Sequence, residues 1–401
     1  MLILLPVSFI SEKKVSEKRV AKVHQKALTV DTHVDTPMAL MNKGFDIGKR
    51  NEAPESRVDF IRMKEGGLDA VFFAAFTTQR ELTPENTEAA YRLAHQMIDS
   101  TYAVCKRYNH MTEIALTSAD AGKLKAKGKG AVYIGMENGF PLGTNLERVK
   151  EFYDRGVRYI TLSHSKHNEI CDSSSDLKEP LHNGLSNFGK EVVAEMNRLG
   201  IMVDVSHVSD KSFYDIINLS RVPVIASHSS VRSIASHHRN MDDDMIRALA
   251  KNGGVIQICL LDDYVKDPDP TSLHFQKKQE LRKIYNASFD SMSEQEKQKF
   301  RKAWSDVDKQ YPKKLPTVSD LVDHIDYVKN LVGIDYVGIG SDFDGGGGLA
   351  DCEDVSQFPN ITGEMLKRGY TEEEIIKVWG GNFFRVFSLV ELMASNHQES
   401  H

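Results

Sequence analysis

Eight short apolar runs recur along the chain, and stretches of mixed polar and apolar residues separate them. Short runs rich in Val, Ile, Ala and Phe are typical of strands that are buried on both faces of a parallel sheet. The predicted strands cover residues 27–35, 68–77, 130–138, 157–164, 201–207, 222–229, 255–260 and 336–342. Eight strands that alternate with helices predict an α/β fold of the (β/α)₈ TIM barrel type.

Helices are predicted between these strands. Thr83 and Pro84 form a start signal, a cap followed by a proline at the first helical position, for a helix that ends near residue 108. Further helices are predicted over residues 12–25, 146–153, 188–199, 209–221, 242–251, 318–331, 360–367 and 372–393. Residues 262–315 are highly charged and break the alternation. We therefore predict an N-terminal segment and leading helix over 1–26, and one barrel domain over 27–401 with 262–315 as an inserted helical excursion.

The composition narrows the class of protein. The 401 residues are 40% hydrophobic and 27% charged, which is typical of a globular protein with a large core. A net charge of −6 and a pI near 6.2 argue against nucleic acid as the main partner. The cysteines are far apart and form no CxxC motif, so they indicate neither a zinc knuckle nor a disulfide framework. They are Cys105, Cys171, Cys259 and Cys352.

The first ten residues are apolar but too short to span a bilayer. They could be the apolar region of a signal peptide, although no basic residues precede them and no A-x-A site follows. The alternative is an N-terminal segment that packs against the domain. We favour a periplasmic or exported protein over a cytoplasmic one, and the rest of the sequence contains no transmembrane run.

Strand after strand ends in a residue type that binds metals. His33 and Asp35 end the first strand and lie two residues apart, so they point to the same side. Glu137 ends the third strand, and its two oxygens could bridge two cations. Later strands end in His164, His207, His228 and Asp342. Because the C-terminal strand ends of such a barrel meet on one face, we expect these side chains to become neighbours.

Taken singly, each of these residues has a plain structural interpretation. An HxD pair can be a polar turn, Glu137 can be a turn acid, and a lone histidine can be a core residue with a satisfied partner. Their occurrence together favours a metal site. Nitrogen and oxygen ligands without a thiolate suit a pair of Zn²⁺ ions. Two such ions roughly 3.5–4 Å apart would share a hydroxide aimed at an electrophilic carbon.

The chain resembles the membrane (renal) dipeptidase family, peptidase family M19 of the amidohydrolase superfamily. The matching motifs are VDTHVD at 30–35, GMENG at 135–139, TLSH at 161–164, DVSH at 204–207, ASHSS at 226–230, RN at 239–240, GSDFDG at 340–345 and WGGNFFRV at 379–386. Many relatives in the superfamily bridge their metals with a carboxylated lysine. No predicted strand end carries a lysine here, and Glu137 fills that place, as a glutamate does in this family.

The resemblance implies a ligand for each metal position. His33 and Asp35 would bind the first zinc ion, and His207 and His228 would bind the second. Glu137 would bridge the two ions together with a hydroxide.

The resemblance also implies roles beside the metals. Asp342 would accept the hydroxide's proton as general base and pass it to the leaving amine as general acid. Its alternative is to orient a neighbouring group. His164 would stabilise the developing oxyanion, or else be a core histidine with a satisfied partner. Arg239 would bind the substrate's C-terminal carboxylate, or else form a surface salt bridge. Asp344 is predicted to be a turn or supporting residue.

Fixed sites for a free amino end and a free carboxyl end would restrict substrates to dipeptides. We therefore predict a binuclear zinc dipeptidase acting on L-Xaa-L-Xaa dipeptides, with L-Xaa-D-Xaa dipeptides as a further candidate and a homodimer implied by the resemblance. The stretch at 259–264 and the long excursion resemble bacterial members, not the animal enzymes, which leaves side-chain preference open. His167, His237 and His238 are predicted to be solvated loop residues.

Two other functions stay open at this point. One is a different binuclear amidohydrolase that acts on N-acyl amino acids, lactones or phosphotriesters. The other is a non-catalytic, metal-stabilised binding protein. The presence of Asp342 argues against the second, since metal binding alone requires no proton shuttle.

Overall fold

The computed structural model describes residues 15–52, 55–176 and 178–398. The apolar start at 1–10 lies outside the described residues. Within them, no helix is both long and apolar enough to cross a membrane.

The centre of the fold is a barrel of eight parallel strands. The described residues form β1 Val30–Val34, β2 Ala70–Phe76, β3 Thr112–Ile114, β4 Gly130–Glu137, β5 Val157–Thr161, β6 Met202–Asp204, β7 Ile225–Ser229, β8 Val255–Ile258 and β9 Val337–Ile339. The sheet order is β1-β2-β4-β5-β6-β7-β8-β9, and β3 pairs with β4 outside this path. A parallel bridge between Val34 and Phe343 joins the first strand to the chain after the last. The predicted (β/α)₈ barrel is confirmed.

Helices surround the strands. They are α1 Glu17–Lys26, α2 Thr36–Leu40, α3 Phe60–Glu65, α4 Pro84–Arg107, α5 Asp120–Ala126, α6 Glu147–Asp154, α7 Asn187–Leu199, α8 Asp210–Leu219, α9 Asp243–Asn252, α10 Asp262–Val265, α11 Leu273–Ser288, α12 Glu294–Gln310, α13 Val318–Val332, α14 Pro359–Lys367, α15 Glu372–Ile376 and α16 Asn382–Gln398. As predicted, the Thr83 side chain accepts a hydrogen bond from the Asn86 N–H and Pro84 follows it.

Some elements differ from the sequence predictions. β3 and α5 lie in a stretch where neither was predicted. The strand β3 has only three residues, which are too few to show a period. The last helix is not continuous, since the π-helix Lys377–Gly381 separates α15 from α16. There Gly380 packs against the backbone just before β1. A Cβ at position 380 would be 2.0 Å from the Leu28 carbonyl oxygen. The strand predicted over 201–207 is only β6, three residues long.

Aromatic side chains fill the end of the barrel where the strands begin. Phe72 stacks on Tyr133 and Tyr159 with ring centroids 4.7 and 5.3 Å apart. Phe383 of α16 packs edge-on against Phe72 at 5.2 Å, so the C-terminal helix closes this end. Phe73, which points the other way along β2, belongs to the core between sheet and helices. The opposite end of the interior, where the strands finish, holds polar side chains.

The stretch after β8 is helical and contains α10, α11 and α12. Its helices α11 and α12 pack through aromatic contacts such as Tyr285 against Phe300, with ring centroids 5.9 Å apart. The two ends of the excursion lie close together, because Lys313 forms an ion pair with Asp262 at 2.8 Å.

The packing of Gly135 against Tyr159 gives a first prediction. A Cβ at Gly135 would lie 2.2 Å from Tyr159 Cζ, so Gly135→Ala must displace the buried ring. We expect the free energy of unfolding of the metal-free protein to fall by about 1–3 kcal/mol. Gly122→Ala in α5 is the matched control, because nothing lies within 4 Å of its added Cβ. It should raise the same quantity by about 0.5–1 kcal/mol. Urea unfolding followed by circular dichroism measures both, and equal effects would contradict this packing.

Candidate active site

The predicted strand-end residues converge at the C-terminal face of the barrel, around the carboxylate of Glu137. Glu137 is 2% exposed. Its Oε1 lies 2.9 Å from His207 Nε2 and 3.4 Å from His228 Nε2. Its Oε2 lies 3.6 Å from His33 Nε2. Residues from four different strand ends therefore meet at one carboxyl group.

Asp35 and Asp342 complete the cluster on the side of His33. One ligand atom of each of these three residues lies within 4.8 Å of the other two. Asp35 Oδ1 is 3.8 Å from His33 Nε2. All six of the converging residues are buried.

The donor set fits metal ions. His33 Nε2 and Asp35 Oδ1 are buried and have no hydrogen-bond partner within the part of the chain that the structure describes. The Nε2 atoms of His207 and His228 approach to 2.8 Å, each directed at the other and at Glu137. Imidazole nitrogens and carboxylate oxygens that face one another in this way are ligands for a divalent cation. Clusters of three potential ligands occur on both sides of Glu137.

Unusual backbone conformations turn two of these side chains inward. His207 and Asp342 have φ of 67° and 59°, in the left-handed region that residues other than glycine rarely adopt. The Asp342 carbonyl compensates by accepting N–H bonds from residues 345 to 347, which are glycines. Gly345 is required for another reason. Its Cβ would lie 2.1 Å from Asp35 Oδ2 and 2.3 Å from Asp342 Oδ1.

Two histidines of the cluster have hydrogen-bond partners on the side away from it. His33 Nδ1 lies 2.8 Å from the Tyr159 hydroxyl, and His228 Nδ1 lies 2.8 Å from Ser227 Oγ. His207 Nδ1 is buried and has no such partner among the residues described. Outer partners of this kind fix ring orientation and direct the other nitrogen at a metal.

Burial controls the protonation of the cluster. It raises the pKa of Glu137 to about 8 and that of Asp342 to about 7, because a desolvated carboxylate is costly. It raises the pKa of Asp35 well above its usual range, and the charge of Glu137 adds to the effect. Burial, together with Arg239, lowers the pKa of His207 well below its usual value. A bound cation would favour the carboxylates and leave the imidazoles neutral, which is the state a metal needs.

His164 and Arg239 lie at the edge of the cluster. His164 Nε2 is 3.6 Å from Glu137 Oε1, and its side chain is 23% exposed, more than the metal-type residues beside it. Burial and then the charge of Arg239 lower the pKa of His164 to about 3. Arg239 Nη2 donates to the His228 carbonyl at 3.1 Å, while its Nε is buried and finds no partner in the described ranges. Its guanidinium carbon is 5.3 Å from the centre of the Tyr264 ring.

Asp344 supports the neighbouring loop. It accepts hydrogen bonds from Thr36 Oγ1 at 2.7 Å, Ser56 Oγ at 2.8 Å and the Arg57 N–H at 2.5 Å. This agrees with the predicted turn role.

Two of the three histidines predicted to be solvated are not. His167 Nδ1 accepts a bond from the Ser173 N–H at 3.0 Å, and its side chain is 9% exposed. His237 packs against the Tyr264 ring at 4.7 Å, and burial lowers its pKa to about 4. Only His238 of the three is exposed. The prediction failed because these loops fold back on the barrel, a long-range contact that polar loop sequence does not show.

Sequence reasoning also missed residues that hold the site. Tyr159, Ser227 and Tyr264 contact predicted site residues but were assigned no role. Ser227 lies inside the motif ASHSS and could have been noted for its position beside His228. Tyr159 and Tyr264 gave no such signal.

A parallel barrel with histidines and carboxylates at its C-terminal rim is the arrangement of metal-dependent hydrolases. The model of the membrane dipeptidase family, peptidase family M19, matches residues 17–401, so the chain belongs to this family. The resemblance expected from the motifs is confirmed.

Relatives agree with this assignment. Dipeptidase tcpJ of Claviceps purpurea is 32% identical over 346 residues, which cover 85% of this chain and 71% of the relative. Dipeptidase 3 of Rattus norvegicus is 31% identical over 389 residues, which cover 95% and 68%. Among solved structures, the probable dipeptidase PvdM from Pseudomonas aeruginosa has a TM-score of 0.86 and 28% identity, with 94% of this chain and 98% of that chain covered.

The raised carboxyl pKa values give a second prediction. In the metal-free protein at pH 6.5, Glu137 should carry a proton that is lost as the pH rises through about 8. Adding zinc at pH 6.5 should displace it, because a metal binds the carboxylate form. Infrared difference spectra of the protonated carboxyl band measure the loss. Glu137→Gln should reduce the signal, whereas Glu179→Gln, on an exposed loop, should not. A zinc-induced difference spectrum without loss of this band would contradict the prediction.

Proposed function

We propose that this protein is a zinc-dependent dipeptidase with a binuclear metal site. The observation that carries the proposal is the convergence of His33, His207 and His228 on the carboxylate of Glu137, with Asp35 beside His33, in a chain that belongs to the membrane dipeptidase family. We assign the ligands to two sets. His33 and Asp35 would hold one zinc ion, His207 and His228 the other, and Glu137 has one oxygen facing each set. When bound there, the two ions would supply a hydroxide at neutral pH and polarise the scissile carbonyl.

Asp342 is the proposed proton carrier. Its carboxyl group lies beside His33 and Asp35, and the backbone holds it there because the Asp342 N–H donates to the His33 carbonyl at 3.0 Å. Burial raises the pKa of Asp342 in the metal-free protein, and a carboxyl in this position can accept a proton and return it. Asp342 would take a proton from the attacking nucleophile and deliver it to the leaving amine. Its carboxylate would also attract the free amino group of the substrate.

His164 and Arg239 are the proposed substrate-binding groups. The more exposed imidazole of His164 lies where it can donate to the oxygen of a carbonyl bound beside Glu137. Arg239 donates one hydrogen bond to the His228 carbonyl, and its buried Nε remains available to bind a carboxylate. A cationic site for the carboxyl end and Asp342 for the amino end would fix the substrate length at two residues.

The direct experiment combines metal analysis with a panel of L-Xaa-L-Xaa and L-Xaa-D-Xaa dipeptides and their N-acetyl forms. We expect about two zinc ions per chain and hydrolysis that falls when the amine is blocked. Preferential hydrolysis of N-acyl amino acids, lactones or phosphotriesters would instead identify another amidohydrolase. Metal binding without any turnover would identify a binding protein. The homodimer stays a prediction, which sedimentation measures.

Asp342→Asn tests the proton carrier. The amide is nearly isosteric but cannot accept a proton, so turnover should fall by roughly 10²–10⁴-fold. Zinc content should stay near two per chain, because Asp342 is not one of the proposed ligands. Steady-state kinetics and metal analysis on the same preparation measure both. Unchanged turnover would remove Asp342 from this role, and loss of zinc would make it a ligand.

Arg239→Ala tests the carboxylate site. Loss of a charge-assisted bond should raise KM for dipeptides by roughly tenfold or more, with a smaller change in kcat. Dipeptide amides, which lack the carboxylate, provide the control, since the variant and the unmodified enzyme should hydrolyse them equally well. An equal loss on amides and acids would show that Arg239 acts elsewhere.

A further inference from the structure

We infer that Asp204, acting through the Ser227 hydroxyl, sets the tautomer of His228 and thereby controls occupancy of the metal position held by His207 and His228. The inference rests on the proposed two-ion site. Asp204 and Ser227 are positioning residues, because neither points its polar atoms at the cluster around Glu137.

Asp204 is a completely buried carboxylate whose hydrogen bonds all come from the barrel interior. Its Oδ1 accepts the N–H of Ser206 at 3.0 Å and the N–H of Ser227 at 2.8 Å. Its Oδ2 accepts the Thr161 hydroxyl at 2.5 Å and the Ser227 hydroxyl at 2.6 Å. All four of these partners donate, so both oxygens of the carboxyl group act as acceptors. The group therefore joins β5, β6 and β7 just below the cluster.

A count of hydrogens fixes the direction of the next bond. A hydroxyl has one hydrogen, and that of Ser227 goes to Asp204. The Ser227 oxygen can then only accept from His228 Nδ1, 2.8 Å away, so the hydrogen of the neutral ring is on Nδ1. The second lone pair of Ser227 faces the Ser206 hydroxyl at 3.4 Å. His228 Nε2 is left with a lone pair, directed at His207 Nε2 and Glu137.

The other half of the cluster is held differently. His33 Nδ1 pairs with the phenol of Tyr159, a neutral group. Within the pair that includes His228, His207 Nδ1 has no partner among the described residues. His228 is thus the oriented ring of its pair, and Asp204 orients it by accepting the Ser227 hydrogen. Without that carboxylate, Ser227 could turn its hydrogen toward Nδ1. The hydrogen of the ring would then move to Nε2 and block the lone pair that a metal needs.

The experiment compares Ser227→Ala and Asp204→Asn with two controls. Stepwise zinc dissociation constants are measured by competition with a chromophoric chelator. We expect each of the two variants to weaken one of the two ions by roughly 10–100-fold and to leave the other within about threefold. Thr161→Val removes a bond to Asp204 but leaves the Ser227–His228 bond intact, so both constants should hold even if the thermal midpoint falls. Tyr159→Phe should weaken the other ion.

Crystals with one equivalent of zinc assign the ions to positions. Anomalous scattering should place the zinc of Ser227→Ala at His33 and Asp35, and that of Tyr159→Phe at His207 and His228. Unchanged constants in Ser227→Ala, equal weakening of both ions, or equal effects of Ser227→Ala and Thr161→Val would each overturn the inference. If Asp204→Asn fails to fold, the milder Ser227→Ala still decides the matter. An unmodified protein that binds fewer than two zinc ions would instead overturn the proposed function.

Discussion

The structure depends on how it buries carboxylates at one end of a parallel barrel. A buried carboxylate is costly unless hydrogen bonds or a cation compensate for lost water. Asp204 is saturated by four donors, and Asp31 accepts bonds from the Ser341 N–H at 2.8 Å and the Ser341 hydroxyl at 2.5 Å. Glu137 and its neighbours Asp35 and Asp342 instead face histidines and one another, and Asp35 Oδ1 is buried without a hydrogen-bond partner among the described residues. The fold thus supplies donors to the carboxylates that brace the barrel and withholds them from those that face the histidines. That contrast, more than the histidines alone, marks the cluster as a site for cations.

The bracing carboxylates also explain how a regular barrel presents an irregular rim. Asp31 ties β1 to Ser341 across the closing seam of the sheet, two residues before His33, whose N–H it also accepts at 3.3 Å. After β9 the backbone leaves strand geometry, and Asp342 has φ in the left-handed region. Strained residues of this type persist only where their surroundings hold them firmly. Here the glycines after Asp342 supply the N–H groups and the space that the turn requires.

Much of this arrangement could be predicted from the sequence, because it is local. Apolar runs identify the strands, and the barrel topology then brings their ends together without any knowledge of contacts. His207 and His228 were found in this way. What could not be predicted depends on partners far apart in the chain. The Tyr159–His33 bond spans 126 positions, and nothing in either segment announces it. The predicted strands were too long at their C-terminal ends for a related reason. His207 follows an apolar run in the sequence, but its backbone is left-handed and lies beyond the end of β6.

Tyr159 shows why stability and the site cannot be separated in this barrel. Its ring lies in the aromatic stack that closes the strand-start end, against Phe72, and its hydroxyl reaches His33 in the cluster. Gly135 makes this possible, since any side chain there would occupy the space of the ring. Tyr159 therefore links the aromatic core directly to the Nδ1 atom of His33, a proposed metal ligand. Changes deep in the aromatic stack should reach the cluster through this ring without touching it directly. In the half of the cluster that contains His228, hydrogen bonds from His228 through Ser227 to Asp204 hold the ring, and aromatic packing contributes less.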